Sequence, residues 1–359
     1  MTERTLNVGV IGIGWWALTQ HVPRLREAGT AELVAISRRS AAALADAQEA
    51  TGAAGAYTEW RELLEHPGLD AVIVTTPHHA HAAPTLAALD RGLDVLVEKP
   101  LALRSEDAWE MVRAAERAGR VLMVGYNRRC EAIWRTTAAA LQGGALGTVR
   151  QVSISIGYDF RWIWEAEHMP PPMAAMLEAQ GVPGSFFDER MEGYWRRDPT
   201  RLGGGEFADT GSHFVDLGLW LGGAPPVEVV ALTASAGLPV ETHVGVQARL
   251  ANGVLLSLAT ADGVPAEANR VVVYGDGGTL TADWTGWQAP EVVLHLPGGH
   301  KPIVTDVPET TTTAAFVDTI LSGAPNLSPA RDGAYAVALS EAVYRSAAEG
   351  RIIQINRGE

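Results

Sequence analysis

The sequence predicts a chain in two parts: an α/β half on a doubly wound parallel sheet, and an α+β half on a mostly antiparallel open sheet flanked by helices. Three observations carry this. Over the first third, short continuously apolar runs alternate with amphipathic stretches, as strands buried on both faces alternate with their covering helices. A glycine turn separates the first apolar run from the first amphipathic one. From residue 227 onward, strand-like runs follow one another with hairpin signals between them. The boundary is expected between residues 126 and 127, giving parts 1–126 and 127–359.

Taken in order, strands are expected at 6–11, 32–36, 71–74, 94–97 and 121–124. Helices are expected at 15–28, 40–50, 80–91 and 105–118, the last with Ser105 as its cap. A helix over 131–141 and an alternating strand over 148–156 open the second part. Residues 159–200, rich in Pro, Met, Trp and Glu, are expected to be an irregular insertion, with Met169-Pro-Pro-Pro-Met173 opposing a helix. Gly203-Gly-Gly then feeds a helix reaching Leu221. Strands are expected at 227–234, 244–250, 254–260, 270–274, 279–282 and 292–296, punctuated by Ala251-Asn-Gly253 and Asp276-Gly-Gly278. Helices at 311–322 and 332–349 close the chain.

Composition narrows the function. The 28 basic and 42 acidic side chains leave a net charge of −14, which repels phosphate backbones, so no nucleic-acid partner is expected. The single cysteine, Cys130, rules out an intrachain disulfide and a cysteine-built zinc site, and fits the cytoplasm. No signal peptide is evident, and no apolar run approaches the ~20 residues of a membrane span, so no membrane partner is expected.

Gly12-Ile13-Gly14-Trp15-Trp16-Ala17 lies between the first strand and first helix. Gly12 permits a tight turn, and Gly14 lets the backbone approach a pyrophosphate seated on the helix N-terminus. This is the Rossmann arrangement for a dinucleotide. The second strand ends in Ser37-Arg38-Arg39, where an NAD site usually carries an acidic residue for the ribose 2′-hydroxyl. A hydroxyl and two guanidinium groups suit a 2′-phosphate, so NADP is the expected cofactor, with NAD the alternative. Later strand ends supply Thr76-Pro77-His78-His79-Ala80-His81 and Glu98-Lys99-Pro100. In such folds ligands lie outside the carboxyl ends of the strands. The histidine group lacks adjacent acidic or cysteine ligands, so no metal is expected.

Gly12-Ile-Gly14-Trp-Trp16 with His21, Thr76-Pro77 with His81, Glu98-Lys99-Pro100, Gly125-Tyr126-Asn127-Arg128-Arg129, Gly203-Gly-Gly with Asp209 and His213, and Ser328-Pro329 with Asp332-Gly333 occur in that order. This resembles the glucose–fructose oxidoreductase / inositol dehydrogenase / MocA family along essentially the whole chain, residues 159–200 excepted. The resemblance implies catalytic roles for Lys99, Asp209 and His213. It places Thr76, Pro77, His78, His81, Glu98 and Asn127 with Gly12, Gly14, Trp15, Trp16, Ser37, Arg38 and Arg39 around the cofactor, and Arg129 near substrate. Cys130 stands where the family usually has an aromatic residue. A secondary carbinol yields a hydride only if its hydroxyl proton also leaves. His213 suits that proton, Lys99 the developing alkoxide, and Asp209 the orientation of His213 or of a neighbouring hydroxyl.

Tryptophan is frequent, at 11. Trp162, Trp164 and Trp195 fall in or beside the insertion, with Arg161, Glu165, Asp188, Tyr194 and Arg197. Aromatic faces pack on the C–H faces of sugar rings, so Arg161, Trp162, Tyr194 and Trp195 join Lys99, Arg129, Asp209 and His213 as candidate substrate contacts. The expected reaction is oxidation or reduction of a hydroxyl or carbonyl on a sugar, sugar derivative or cyclitol. A redox-neutral glycoside-cleaving enzyme with tightly held nicotinamide, or a non-enzymatic sensor, would use the same fold. A homodimer or homotetramer is expected through the open sheet.

Overall fold

In the computed structural model, which describes residues 5–165, 168, 170–183, 186, 194–286, 288–356 and 358, the chain forms two sheets. The first is built from β1 (Leu6–Ile11), β2 (Ala31–Ser37), β3 (Gly55–Tyr57), β4 (Ala71–Val74), β5 (Asp94–Val97) and β6 (Leu122–Val124). Its order is β3-β2-β1-β4-β5-β6 and every pair is parallel. Strands β4 and β5 are buried at every residue, which is why their sequences carry no polar alternation. The connecting helices are α1 (Val22–Ala28), α2 (Ala41–Thr51), α3 (Trp60–Leu63), α4 (Ala82–Asp90) and α5 (Ser105–Ala118). The strand order reverses between β1 and β4, and that switch point opens a crevice at the carboxyl ends of the strands.

The second sheet has nine strands in the order β14-β13-β12-β11-β7-β10-β9-β8-β15. These are β7 (Val149–Tyr158), β8 (Pro226–Ala234), β9 (His243–Leu250), β10 (Leu255–Asp262), β11 (Asn269–Gly275), β12 (Gly278–Trp284), β13 (Glu291–Leu296), β14 (Gly299–Pro302) and β15 (Ile353–Gln354). All its pairs are antiparallel except β7 with β10. Burial alternates strictly along β9, so one face is core and the other open. Helices α10 (Ser212–Gly222) and α12 (Ala330–Glu349) cover the core face, and α12 also packs on α5, tying the two sheets together. The Ser328-Pro329 element pairs with β6, where Val124 N–H donates to Ser328 O at 2.9 Å. The remaining helices are α6 (Ala132–Gln142), α7 (Trp162–Glu165), α8 (Pro171–Ala179), α9 (Pro199–Leu202) and α11 (Thr312–Ser322).

Three local expectations are corrected. Ser105 is the first residue of α5 rather than its cap; its N–H donates to Glu341 Oε2 of α12 at 2.9 Å, so tertiary contact replaces a side-chain cap. Residues 159–200 are not irregular throughout, since α7, α8 and α9 lie there. The proline run starts α8 instead of opposing it: Pro170 precedes the helix and Pro171 opens it, where a fixed φ and a missing N–H cost nothing. The short elements β3, α3, β14 and β15 went unread because each is too brief to show a period. Among the described residues, no helix is long and apolar enough to cross a membrane.

Candidate active site

The site forms where the glycine turn, the ends of β4, β5 and β6, and the start of α10 meet. At Gly12, φ is +83°, and an added Cβ would sit 2.7 Å from Thr76, so glycine is required both for the turn and for the approach of the β4 end. The N–H groups of Gly12 and Ile13 donate to Ser37 O, each at 2.9 Å, and Thr75 Oγ1 donates to Gly12 O at 3.0 Å. Beside Gly14 the space is open, the nearest atom to an added Cβ being Gly12 O at 3.8 Å. The turn therefore offers an uncovered backbone surface at a helix start, which fits a dinucleotide pyrophosphate. That helix passes through a π segment, Ala17–His21, before α1.

Arg38 Nη1 donates to Ile13 O at 3.0 Å, and its guanidinium lies 4.1 Å from the Phe186 ring centroid. Arg39 is exposed. Ser37 Oγ is buried without a hydrogen-bond partner among the described residues.

Glu98 is a buried hub. It accepts from Trp16 Nε1 at 3.0 Å, lies 3.0 Å from His21 Nε2, and takes the Lys99 N–H at 3.2 Å. His21 Nδ1 pairs in turn with Thr313 Oγ1 of α11 at 2.8 Å. Burial works against the Glu98 charge, but the bonds from His21 and Trp16 hold its pKa below the usual carboxylate value. Glycine at 125 is obligatory here, because a Cβ would come 2.7 Å from Glu98 Oε1. Trp16 and Glu98, expected at the cofactor, thus bind each other, while Trp15 packs edge-on to Trp16 with centroids 5.4 Å apart.

The next residue carries the chemistry. A cis bond joins Lys99 to Pro100, and Lys99 Nζ reaches across to Asp209, 2.5 Å from Oδ1 and 3.3 Å from the carbonyl. Asp209 Oδ2 accepts from Arg196 Nε at 2.6 Å, and His78 Nε2 stands 3.7 Å from Oδ1. Burial raises the Asp209 pKa, yet Arg196, Lys99 and His78 together hold it well below the usual carboxylate range. Glu206, one turn earlier, is pushed up to about 8 by burial and by the charges of Asp209 and Asp262. It accepts from Thr210 Oγ1 at 2.8 Å.

His213 lies within electrostatic reach of Lys99, Arg128, Asp209 and His78, and its ring meets Tyr126 edge-on at 6.2 Å. Burial, then the charges of Lys99 and Arg128, lower its pKa well below 6.5. Its Nδ1 is buried without a hydrogen-bond partner among the described residues. Among the described residues no hydrogen bond joins it to Asp209, which sits in a π segment, Phe207–Gly211, with its carboxylate on Lys99 and Arg196.

The remaining expected contacts divide. Thr76 bonds within its own loop, Oγ1 to Ala80 O at 3.0 Å, with Pro77 between it and the 3-10 turn His78–Ala80. His78 Nδ1 donates to Leu202 O at 3.0 Å, and its ring packs on Trp195 at 4.8 Å. His81 spans two carbonyls, Pro100 O at 2.7 Å and Thr76 O at 2.8 Å. Neither imidazole is arranged as a metal ligand, and no group of three potential ligands occurs among the described residues. Asn127 begins the 3-10 turn after β6, at the mouth of the crevice.

Arg129 is not brought to that mouth. It is 3% exposed, with Nε 2.8 Å from Asp216 Oδ2 and Nη1 2.8 Å from Asp332 Oδ2, so its donors are spent inside the protein. Cys130 is buried, and burial pushes its thiol up to about 12. Arg161 turns to Glu165, Nε to Oε1 at 3.0 Å, on the surface beside Trp162 in α7. Tyr194 and Trp195 do reach the site, through Arg196: Nη1 donates to Tyr194 Oη at 2.6 Å, and the guanidinium lies 4.4 Å from the Trp195 centroid. Asp188 lies outside the described residues. Sequence reasoning missed Arg196; its only signal was its place between two residues already singled out.

A glycine turn at the switch point of a parallel sheet, with an ammonium, an imidazole and a carboxylate beside it, defines a nicotinamide-dependent oxidoreductase acting on CH–OH groups. Residues 6–126 match the "Oxidoreductase family, NAD-binding Rossmann fold" and residues 134–281 the "GFO/IDH/MocA C-terminal domain". The chain belongs to the GFO/IDH/MocA family of sugar and inositol oxidoreductases. It is 29% identical to the 1,5-anhydro-D-fructose reductase of Ensifer adhaerens, over 98% of each chain. It is 28% identical to the myo-inositol 2-dehydrogenase of Thermotoga maritima, over 77% of this chain and 75% of that one. Among solved structures, the aldose–aldose oxidoreductase of Caulobacter crescentus, complexed with glycerol, superposes with a TM-score of 0.79 at 26% identity, covering 98% of this chain and 100% of the other.

Proposed function

We propose that this protein is an NADP-preferring dehydrogenase or reductase of a sugar, sugar derivative or cyclitol, with residues 1–126 serving the cofactor and 127–359 serving substrate and association. The observation that carries the reading is the Lys99–Asp209 pair at 2.5 Å with His213 beside it, joining the end of β5 to the π segment that leads into α10. A bound nicotinamide supplies the two-electron acceptor or donor. Lys99 holds the substrate oxygen and stabilises negative charge that develops on it. His213, neutral at physiological pH, accepts the hydroxyl proton. Asp209 holds the Lys99 ammonium in place.

The test is a panel of sugars, sugar derivatives and cyclitols, followed at the nicotinamide absorbance band across pH. A member of the panel is expected to reduce NADP⁺. In that direction the rate falls as acid protonates His213, so the acid limb of kcat/KM has its midpoint below 6.5. A limb centred above 6.5 removes His213 as the base. Product formation with no change at the nicotinamide band favours the redox-neutral alternative.

The NADP preference is supported by Ser37, Arg38 and Arg39 at the end of β2, with no carboxylate among those three positions. Arg38 is held against the glycine turn, and Ser37 Oγ has no hydrogen-bond partner among the described residues. Arg38→Ala is expected to weaken NADP binding at least ~10-fold while moving NAD by less than ~3-fold, as loss of a charge-assisted phosphate contact does. Equal losses for both cofactors, measured by titration, remove Arg38 from the 2′-phosphate.

A homodimer or homotetramer is supported by the open face of the second sheet, where Val230, Leu255 and Tyr274 are exposed and Leu232 is 77% exposed. The single, buried Cys130 is consistent with a reducing cytoplasm.

A further inference from the structure

We infer that the substrate carries a carboxylate, as an aldonate or uronate does, and that Arg196 is the residue that selects it. The inference rests on the proposed dehydrogenase reading and narrows its substrate class. It follows from how the donors and charges of the site are used.

Arg196 is held on two sides. Nε donates to Asp209 Oδ2 at 2.6 Å, and Nη1 donates to Tyr194 Oη at 2.6 Å. The plane rests on Trp195, 4.4 Å from its centroid. Among the described residues Nη2 donates to nothing, and Nη1 retains a second N–H. The Nη1–Nη2 edge is therefore a pair of parallel donors, fixed in orientation by stacking and by Asp209, with the side chain 18% exposed. A carboxylate matches that edge with two parallel bonds.

The charges point the same way. Asp209 is the carboxylate shared by two cations, Lys99 at one oxygen and Arg196 at the other. Arg128 adds a third cation near His213, with its guanidinium over the Phe214 and Trp284 rings and its Glu131 partner 3.8 Å away. Arg129 is already neutralised by Asp216 and Asp332. Glu98 is committed to His21, Trp16 and the Lys99 N–H. Two cations therefore divide the single Asp209 carboxylate, and an anionic substrate supplies a counter-charge for Arg196. The planar fork matches the two oxygens of a carboxylate, and sugar phosphates, the other anions such a fork takes, are tested beside it.

The experiment uses the full chain loaded with cofactor and matched ligands: five- to seven-carbon aldonates and uronates, each beside its neutral alditol or methyl glycoside, with the corresponding sugar phosphates as a third arm. Binding is read by tryptophan fluorescence and turnover at the nicotinamide band. At least one acid is expected to bind its site ~10- to 100-fold more tightly than its neutral counterpart, the range of a charge-assisted hydrogen bond. Arg196→Met should bring that ratio close to one while cofactor affinity is retained, and Arg196→Lys should restore only part of it. Acids that bind no better than neutral partners, complete failure to bind included, overturn the inference. So do sugar phosphates preferred over acids, or equal losses on acid and neutral ligands in Arg196→Met, which would make Arg196 a positioning residue for Asp209 alone. Preferential binding of acids without turnover leaves the inference standing and removes the dehydrogenase reading.

Discussion

Replacing Lys99 with methionine is expected to lower kcat by at least ~10³-fold while cofactor affinity stays within a few-fold. The magnitude is that of removing a preorganised charge from developing alkoxide in a site shielded from water. Methionine keeps the length and apolar stem of lysine, so little packing is lost. The hydrogen bonds that Lys99 Nζ makes both go to Asp209, not to the glycine turn, which is why cofactor binding should survive. In the variant, Asp209 keeps Arg196 at 2.6 Å as its counter-ion, so its charge is not orphaned and the fold should hold. Steady-state rates with the best substrate, and cofactor titration by fluorescence, check both halves. An unchanged kcat would falsify the mechanism at its centre.

The second large effect is expected on stability. Arg129→Met should cost about 3–5 kcal/mol, the usual result of stranding one member of a buried ion pair. Arg129 binds Asp216 through Nε and Nη2 and Asp332 through Nη1, joining the turn after β6 to α10 and α12. Asp216 is 1% exposed, and burial already raises its pKa, with Arg129 opposing that rise. Without Arg129 its folded-state pKa climbs further above the unfolded value. The variant's deficit is then largest at neutral pH and shrinks as acid protonates Asp216, the sign expected of a carboxylate whose folded pKa is raised. Urea unfolding at neutral and acid pH measures it. Arg129→Met combined with Asp216→Leu should recover much of the loss, because the pair contributes less than its broken half costs. A deficit below ~1 kcal/mol would mean the pair is dispensable.

Arg129 also shows where reading the sequence stops. It lies in Gly125-Tyr126-Asn127-Arg128-Arg129, a run for which the family resemblance implied substrate contact. Its partners are 87 and 203 residues away, and no local pattern reports which carboxylates will fold against a guanidinium. Trp16 and Glu98 show the same limit: both lie in recognisable motifs, but the bond between them spans 82 residues, and no local pattern announces it. Arg196 is the reverse case, unread because one arginine among several polar neighbours carries no periodic or spacing signal. The strands of the first sheet, the glycine turn, and the meeting of Lys99 with Asp209 were legible because each is announced by contiguous residues or by a family-wide motif order.

What the sequence determined by itself is therefore what contiguous residues announce: the longer strands, the glycine turn and the hairpin signals. Apolar runs had to be buried on both faces, and Gly12 had to take a left-handed turn. Tertiary structure alone decided which charges neutralise one another. Coulombic pairing depends on through-space distance and burial, and two arginines of similar local sequence can end with different fates: Arg129 locked between Asp216 and Asp332 at 4% side-chain exposure, Arg196 sharing Asp209 with Lys99 at 18%.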